Sequence, residues 1–213
     1  MQMTQNFGQD QQNMTHPNMH TGQVGQQMNH GGHEVFDVHE VLSTMIGAMD
    51  MSTLMRPHAQ DPELIDIIDR QYRFMQQSYN TLVDCFKTGT DPQMPTQSYK
   101  MAGGNDWVYG MKQSQPKKPM QSPQELNDAA ISGFLLSGHK AGATACTAAA
   151  LETTNPVVRR VLADSVPNCI EMAYELSIYQ NKHHYYQVPQ LAEQDMQAIL
   201  NAYSPAGNQG GMQ

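Results

Sequence analysis

NPVVRRVLADSVPNCIEMAYELSIYQNKHHYY, residues 155–186, is the stretch that decides the fold. Its apolar side chains recur at mixed steps of three and four residues, which places them on one face of a helix. That face is formed by Val158, Val161, Leu162, Cys169, Met172, Leu176 and Tyr179. The charged residues expected to flank it or to lie opposite are Arg159, Asp164, Glu171 and Glu175. Because packing of an apolar face supplies most of a helix's stability, this helix needs partners.

The start of this helix is marked in the sequence. Asn155 suits the N-cap, and Pro156 suits the first helical position, where its missing N–H would have no partner anyway. Pro167 falls inside the stretch, where it removes one backbone hydrogen bond and should kink the helix near residues 163–166. The apolar pattern resumes beyond Pro167, so we expect one continuous helix.

Three more stretches carry a helical period, so four long helices are expected in all. The first should cover residues 34 to about 56, and the second residues 61–89. The third should begin near Ser122-Pro123, where Glu125 would complete a capping box. The expected stripes are Val35, Val38, Leu42, Met45, Ile46 and Met49 in the first helix, Leu64, Ile68, Met75, Tyr79, Leu82 and Phe86 in the second, and Ile131, Leu135, Gly138, Gly142, Ala145 and Ala149 in the third.

The chain divides into one helical unit and polar extensions. Residues 1–33 are mostly Gln, Asn, Met, His and Gly, so they should form a disordered arm. The helical unit spans residues 34–203 and contains a linker rich in Pro, Gly and Gln at residues 90–122, with a flexible tail at 204–213. Trp107 in the linker either packs the linker onto its own domain or anchors a neighbouring protein. The side chains expected to dock a short last helix on the bundle are Leu191, Ile199, Leu200 and Tyr203.

Composition excludes several classes of protein. A net charge of -8 argues against binding to nucleic acid, which needs clustered Lys and Arg. The most apolar run, residues 129–136, is too short to span a bilayer, and no cleaved signal peptide is expected. Cys85, Cys146 and Cys169 form no CxxC pair, so buried free thiols are expected.

An offset of 94 residues relates the two halves of the helical unit. Asp61-Pro62 matches Asn155-Pro156, and Met94-Pro95 matches Val188-Pro189. Such a repeat indicates two similar helical hairpins. Joined by one long crossover, two hairpins give the up-down-down-up topology of ferritin-like bundles. We therefore predict an all-α, ferritin-like antiparallel four-helix bundle.

The sequence lacks the metal ligands of a di-iron bundle. Such a centre takes inward carboxylates and a Glu-x-x-His pair from each of two helices, and no Glu-x-x-His occurs in the predicted helices. The inward positions at mid-height carry Met75, Ser78, Cys169 and Met172, which predicts a dry interior of sulfur and methyl groups. The residues that could still contribute to a metal site are Glu171, Glu175, His39, Glu40 and His139, and we expect them to be ordinary flanking or structural residues.

No other catalytic or cofactor-binding motif is present. The chain has no dinucleotide-binding or Walker loop, and no cysteine has a His partner visible in the sequence. The arm offers a loose set of soft and borderline ligands without a rigid scaffold, namely His16, His20, His30, His33, Met14, Met19 and Met28. We therefore assign no catalytic, cofactor-binding or metal site and expect no enzyme activity.

Residues 126–189 resemble a known family. The motifs that carry the resemblance are Leu126-Asn127-Asp128 opening a helix, the alanine-rich stretch to Glu152, the helix start Asn155-Pro156-Val157-Val158-Arg159, and Tyr174-Glu175-Leu176 leading to His184-Tyr185-Tyr186-Gln187-Val188-Pro189. With them the segment looks like the spore coat protein F family. The resemblance implies a ferritin-like bundle without established catalysis, made in the cytoplasm and placed in the coat of bacterial endospores. The chain departs from the family in its long arm and in Tyr185-Tyr186, where many relatives carry a glycine-aromatic turn.

The function implied is that of a structural coat component, whose partners are other coat proteins and further copies of itself. Lys117-Lys118, the Gln-rich arm and four tyrosines expected to be exposed suggest covalent cross-links between chains; these tyrosines are Tyr99, Tyr109, Tyr185 and Tyr186. The alternative is a ferritin-like protein that binds manganese or iron for redox chemistry or storage. A third possibility is a regulator that binds partners through a Met-rich surface, but no specific residue supports it.

Overall fold

Residues 30–206 are the part of the chain that the computed structural model describes, and they confirm the all-α prediction. The α-helices in this range are α1 (Gly32–Met55), α2 (Pro62–Thr88), α3 (Asp128–Glu152), α4 (Pro156–Lys182) and α5 (Glu193–Leu200). Short 3-10 turns occupy Arg56–His58 and Pro123–Glu125. These residues form no β-strand, only one isolated bridge between Tyr109 and Val188. None of their helices is long and apolar enough to cross a membrane.

Side-chain caps define where α2, α3 and α4 begin. The Asp61 carboxylate accepts from the backbone N–H of Glu63 at 2.9 Å, and Asn155 Oδ1 accepts from Val157 N at 2.9 Å. The predicted capping box at Ser122 is wrong: the chain makes only a 3-10 turn there, and α3 begins at Asp128. Asn127 is the cap of α3, because its side chain accepts from the third N–H along the chain. The continuity of α4 through Pro167 is confirmed.

Contacts at the two ends of the bundle fix its topology. At one end, Glu34 at the start of α1 accepts hydrogen bonds from Asn155, which precedes α4. At the other end, Asp61 before α2 donates its backbone N–H to Asp128 at the start of α3, and its carboxylate accepts from Tyr179 near the end of α4. Helices α2 and α3 therefore start at the same end, opposite α1 and α4. This is the predicted up-down-down-up order, with a crossover running the length of the bundle.

The internal repeat is visible in the helices themselves. Helices α2 and α4 both contain 27 residues, and both begin with a proline that follows a side-chain cap. Pro62 and Pro156, like Thr88 and Lys182, lie 94 positions apart, which matches the offset found in the sequence. The two hairpins are therefore built to one pattern.

The predicted apolar stripe of α1 is partly wrong. Val35 and Ile46 are exposed, whereas Val38 and Val41 are buried. Two polar residues also occupy the inward line of α1: Glu34 is fully buried and Ser52 is almost so. Because apolar residues on the outer face and polar residues on the inner face both contradict the usual pattern, the stripe could not be assigned correctly from hydrophobicity.

The crossover at residues 89–127 is attached along its length to polar side chains of α4. Thr96 Oγ1 donates to Asp164 at 2.6 Å, Tyr99 N donates to Asn168 at 2.8 Å, and Val108 N donates to Asn181 at 2.7 Å. Asp164 and Glu175, which were expected to flank or oppose the buried face of α4, are both buried. The physical reason is that backbone N–H groups need acceptors where the crossover lies against the bundle, and α4 supplies them.

Two other expectations about loops have clear outcomes. Trp107 packs the crossover onto its own domain: its Nε1 donates to the Tyr174 hydroxyl at 2.9 Å, and its ring also lies against Tyr186. The predicted docking of the last helix is contradicted, since the side chains expected to dock it are all exposed, namely Leu191, Ile199, Leu200 and Tyr203. The predicted tail at 204–213 lies outside the described residues from 207 onward.

Candidate functional site: a buried carboxylate beneath the crossover

The residues considered for a metal site do not converge. His39 and Glu40 are exposed on α1, and Glu171 is half-buried on α4. His139 on α3 and Glu175 on α4 are both buried. The last two belong to one hydrogen-bonded network at the centre of the bundle, which the sequence analysis did not predict.

Glu175 is the hub of this network. Its Oε1 accepts from the Arg70 guanidinium at 2.8 Å and from the backbone N–H of Ala102 at 3.1 Å. Its Oε2 accepts from the Tyr99 hydroxyl at 2.5 Å and from Gln71 Nε2 at 3.0 Å. Helix α2 supplies Arg70 and Gln71, while the crossover supplies the other two donors. The carboxylate thus ties α2, α4 and the crossover together.

Gln71 connects His139 to Glu175 and determines which imidazole nitrogen of His139 carries the hydrogen. Gln71 Nε2 donates to the carbonyl of Met172 and to Glu175, so Gln71 Oε1 is left as an acceptor. His139 Nε2 lies 2.8 Å from that oxygen and must therefore carry the hydrogen. Burial lowers the pKa of His139 to about 4, although the negative charge of Glu175 acts in the opposite direction. The imidazole is consequently neutral at physiological pH.

The remaining members of the network fix its charge. Burial raises the pKa of Tyr99, as do the hydrogen bond to Glu175 and its charge, so the phenol stays protonated. Burial disfavours the Arg70 cation, but hydrogen bonds to Glu175 and Asp66 outweigh this effect and raise the pKa of Arg70. One carboxylate is therefore balanced by one guanidinium inside the bundle. Tyr99 was expected to be exposed and open to cross-linking, and its burial contradicts that expectation.

The donor set of the network does not suit a pair of metal ions. A di-iron site in a ferritin-like bundle needs several carboxylates and two imidazoles around adjacent cations. In this network Glu175 supplies the carboxylate, and four hydrogen-bond donors surround its oxygens. The expectation of a wholly apolar interior is nevertheless wrong on this side of the bundle, because it missed the polar residues that hold the crossover. Met75, Ser78, Cys169 and Met172 do line an apolar cavity beside it, as predicted.

A second group of ligand atoms lies at the end of the bundle. Within residues 30–206, one set of three titratable groups has its ligand atoms within 4.8 Å of one another: Asp61, Glu63 and His183. Asp61 already caps α2 and accepts from the Tyr179 hydroxyl. Lys182 donates to Glu63 at 2.6 Å. These contacts assign the group to helix capping and to pairing between α2 and α4.

Glu34 forms a further buried anchor that sequence analysis missed. One carboxylate oxygen accepts from Thr154 N, Thr154 Oγ1 and Asn155 N at 2.7–3.0 Å, and the other lies 2.6 Å from His30 Nδ1. Burial alone would raise the pKa of Glu34, but these hydrogen bonds outweigh it and hold the pKa below its usual value. The predicted disordered arm ended at residue 33. However, His30 already contacts Glu34 of α1, and Gly31 contacts Thr154 in the α3–α4 turn. Residues 1–29 of that arm lie outside the described range.

Comparisons with known proteins agree on one family. Residues 127–189 match the model of the Coat F domain. The chain is 49% identical over 179 residues to the spore coat protein F-like protein YhcQ of Bacillus subtilis strain 168, covering 84% of this chain and 82% of the relative. A crystal structure from Bacillus halodurans C-125, provisionally described as a spore coat protein, shares the fold with a TM-score of 0.55. That match has 16% identity and covers 78% of this chain and 97% of the solved one.

Proposed function

The chain belongs to the family of spore coat protein F-like proteins, and from this membership we propose that it is a non-enzymatic structural component of the bacterial endospore coat. The observation that carries the proposal is the identity with the Bacillus subtilis relative across most of both chains. The 179 residues compared with this relative extend well beyond the length of the matched Coat F domain, residues 127–189.

The buried network supports a scaffolding role. A carboxylate intended for metal or acid-base chemistry needs a free oxygen facing a ligand, whereas both oxygens of Glu175 accept two hydrogen bonds each. Two of these bonds attach the long crossover to α4, and the other two join α4 to α2. No contact within residues 30–206 favours the alternative of a ferritin-like store of iron or manganese.

The surface supports assembly with other coat proteins. Leu191, Ile199, Leu200 and Tyr203 are each more than half exposed, and together they flank or belong to α5. Several large apolar side chains exposed within one short segment can mark a protein contact site. We propose that other coat proteins, or further copies of this chain, pack against this α5 segment.

Localisation in sporulating cells tests the proposal. A fluorescent fusion of the full chain should form a ring around the forespore and should be recovered in the extracted coat. The variant Leu191→Ser/Leu200→Ser/Tyr203→Ser should retain its helical circular dichroism and lose most of its coat-bound signal. The matched control Gln190→Ser/Gln197→Ser/Asn201→Ser should behave like the unchanged chain. Diffuse fluorescence throughout the cytoplasm of vegetative cells would contradict the assignment to the coat, and equal retention of both variants would contradict the role of the α5 segment.

A further inference from the structure

Sulfur atoms surround a cavity in the middle of the bundle. The cavity has a volume of about 40 Å³, receives side chains from all four long helices and lies beside the Glu175 network. Its wall includes Met45, Met75, Cys146, Cys169, Met172 and His139. Since one water molecule needs roughly 10–15 Å³ of such space, the cavity would hold a few waters or one metal ion without movement of the helices.

The two cysteines in this wall interact directly. Cys146 lies on α3 and Cys169 on α4, and both are free thiols. Both thiols face the same cavity, where interaction with Cys169, together with burial, raises the pKa of Cys146. Interaction with Cys146 lowers the pKa of Cys169, although burial acts in the opposite direction. Gly142, one turn before Cys146, leaves room for this contact: a methyl group there would lie 3.5 Å from Cys169 Sγ. The two sulfur atoms are thus held together by helix packing in the folded protein.

We propose that this sulfur-lined cavity binds one copper(I) ion through the Cys146 and Cys169 thiolates, with a thioether contact from Met172. Thiolates and thioethers are soft ligands that select copper(I) over harder ions. A structural zinc site would need four Cys, His or carboxylate ligands. Among residues 30–206, no third group of that kind lies within ligand distance of the two thiols.

The binding reaction is an exchange of protons for a metal ion. The two S–H bonds are broken, two Cu–S bonds form, and no electron is transferred because copper enters as copper(I). The complex with two thiolates carries one negative charge. Both released protons pass to the solvent.

Anaerobic titration of the reduced full chain with copper(I), in competition with a chromogenic chelator, tests the proposal. We expect one equivalent bound with a thiolate-to-copper charge-transfer band in the ultraviolet. The His- and Met-rich arm cannot give this band, because the only cysteines of the chain are Cys85, Cys146 and Cys169. The band should vanish in Cys146→Ala/Cys169→Ala and persist in the control Cys85→Ala, which removes a buried thiol outside the cavity wall.

A second variant keeps the test decisive if the double variant does not fold. Met172→Leu conserves volume and should keep the band while weakening copper(I) binding about 10-fold, as loss of a supporting ligand commonly does. Unchanged affinity in Met172→Leu would overturn the thioether contact. Absence of the band in the unchanged chain, its loss in Cys85→Ala, or conversion of Cys146 and Cys169 to a disulfide without bound copper would overturn the site.

Discussion

Two buried carboxylates, Glu34 and Glu175, hold this bundle together in different ways. Each accepts four hydrogen bonds or close polar contacts, and each joins segments far apart in the sequence. Glu175 has a permanent cation beside it, since Arg70 lies 2.8 Å away. Glu34 has only His30, whose charge depends on protonation. The difference teaches that Glu175 combines an ion pair to α2 with neutral hydrogen bonds from the crossover, whereas the start of α1 is held mainly by neutral donors.

Removing the charge of Glu175 should have the largest effect. In Glu175→Gln, the partly buried Arg70 guanidinium loses its buried partner and keeps only the exposed Asp66. Breaking a buried ion pair costs about 3–5 kcal/mol. Since about a quarter of the Arg70 side chain is exposed, we expect a loss near 3 kcal/mol in the free energy of unfolding. Denaturant unfolding at pH 7 measures it.

Two further variants sharpen this result. Glu171→Gln, one turn earlier on the same helix and half-buried, should change stability by less than about 0.5 kcal/mol. Arg70→Met/Glu175→Met removes both charges and should recover much of the lost stability, because two apolar side chains leave no unpaired ion. A double variant as unstable as Glu175→Gln would show that hydrogen bonds to the crossover, and not the ion pair, dominate.

The histidine on the Glu175 side should make the protein sensitive to acid. His139 is neutral in the folded state with a pKa of about 4, while in the unfolded chain it titrates near 6.5. Between these values the unfolded state binds a proton that the folded state does not, so stability falls as the pH drops from 6.5 to 4 and the loss is complete below 4. The expected contribution is about 3 kcal/mol.

Unfolding free energies at pH 7, 6, 5 and 4.5 check this dependence. His139→Gln should flatten the slope over that range, whatever its stability at pH 7. The exposed His39 provides the control, since His39→Gln should leave the slope of the unchanged chain intact. Parallel slopes for all three proteins would mean that His139 is accessible to protons in the folded state.

Much of the fold could be predicted because its signals are local. Asn155 with Pro156 and Asp61 with Pro62 mark two helix starts, and the apolar period of α4 identifies its buried face. The 94-residue offset then led to the paired hairpins. Caps, prolines and periodicity depend on residues a few positions apart, so they can be read from one chain without knowledge of its tertiary contacts.

The candidate site could not be predicted because its signals are not local. Glu175 and Asp164 look like ordinary helix-surface residues until the crossover covers them. Glu34 was treated as the first residue after a disordered arm, and its partners lie about 120 positions away. A long Pro- and Gly-rich segment was interpreted as a linker, although Tyr99 and Ala102 within it donate to a buried carboxylate. Which polar residues of the helices become buried depends on where the crossover packs on the bundle. No periodic pattern in the sequence indicates that position.

The smallest loss of stability is expected for a substitution of Glu34. It tests whether neutral donors, without an ion pair, hold the start of α1. Glu34→Gln keeps an oxygen that can accept from Thr154 and Asn155, so at pH 7 we expect a loss of about 1–2 kcal/mol, without a stranded cation. The folded-state pKa of Glu34 lies below its usual value of 4.5, so the carboxylate stabilises the fold above that pH and its contribution is lost as the pH falls through the folded-state pKa. The stability gap between the unchanged chain and Glu34→Gln should therefore shrink below pH 4.5, whereas the exposed Glu40→Gln control should show almost no gap at pH 7. If this difference in unfolding free energy stayed constant down to pH 3, Glu34→Gln would be destabilised because the amide packs poorly. The charge of Glu34 would then not contribute to stability.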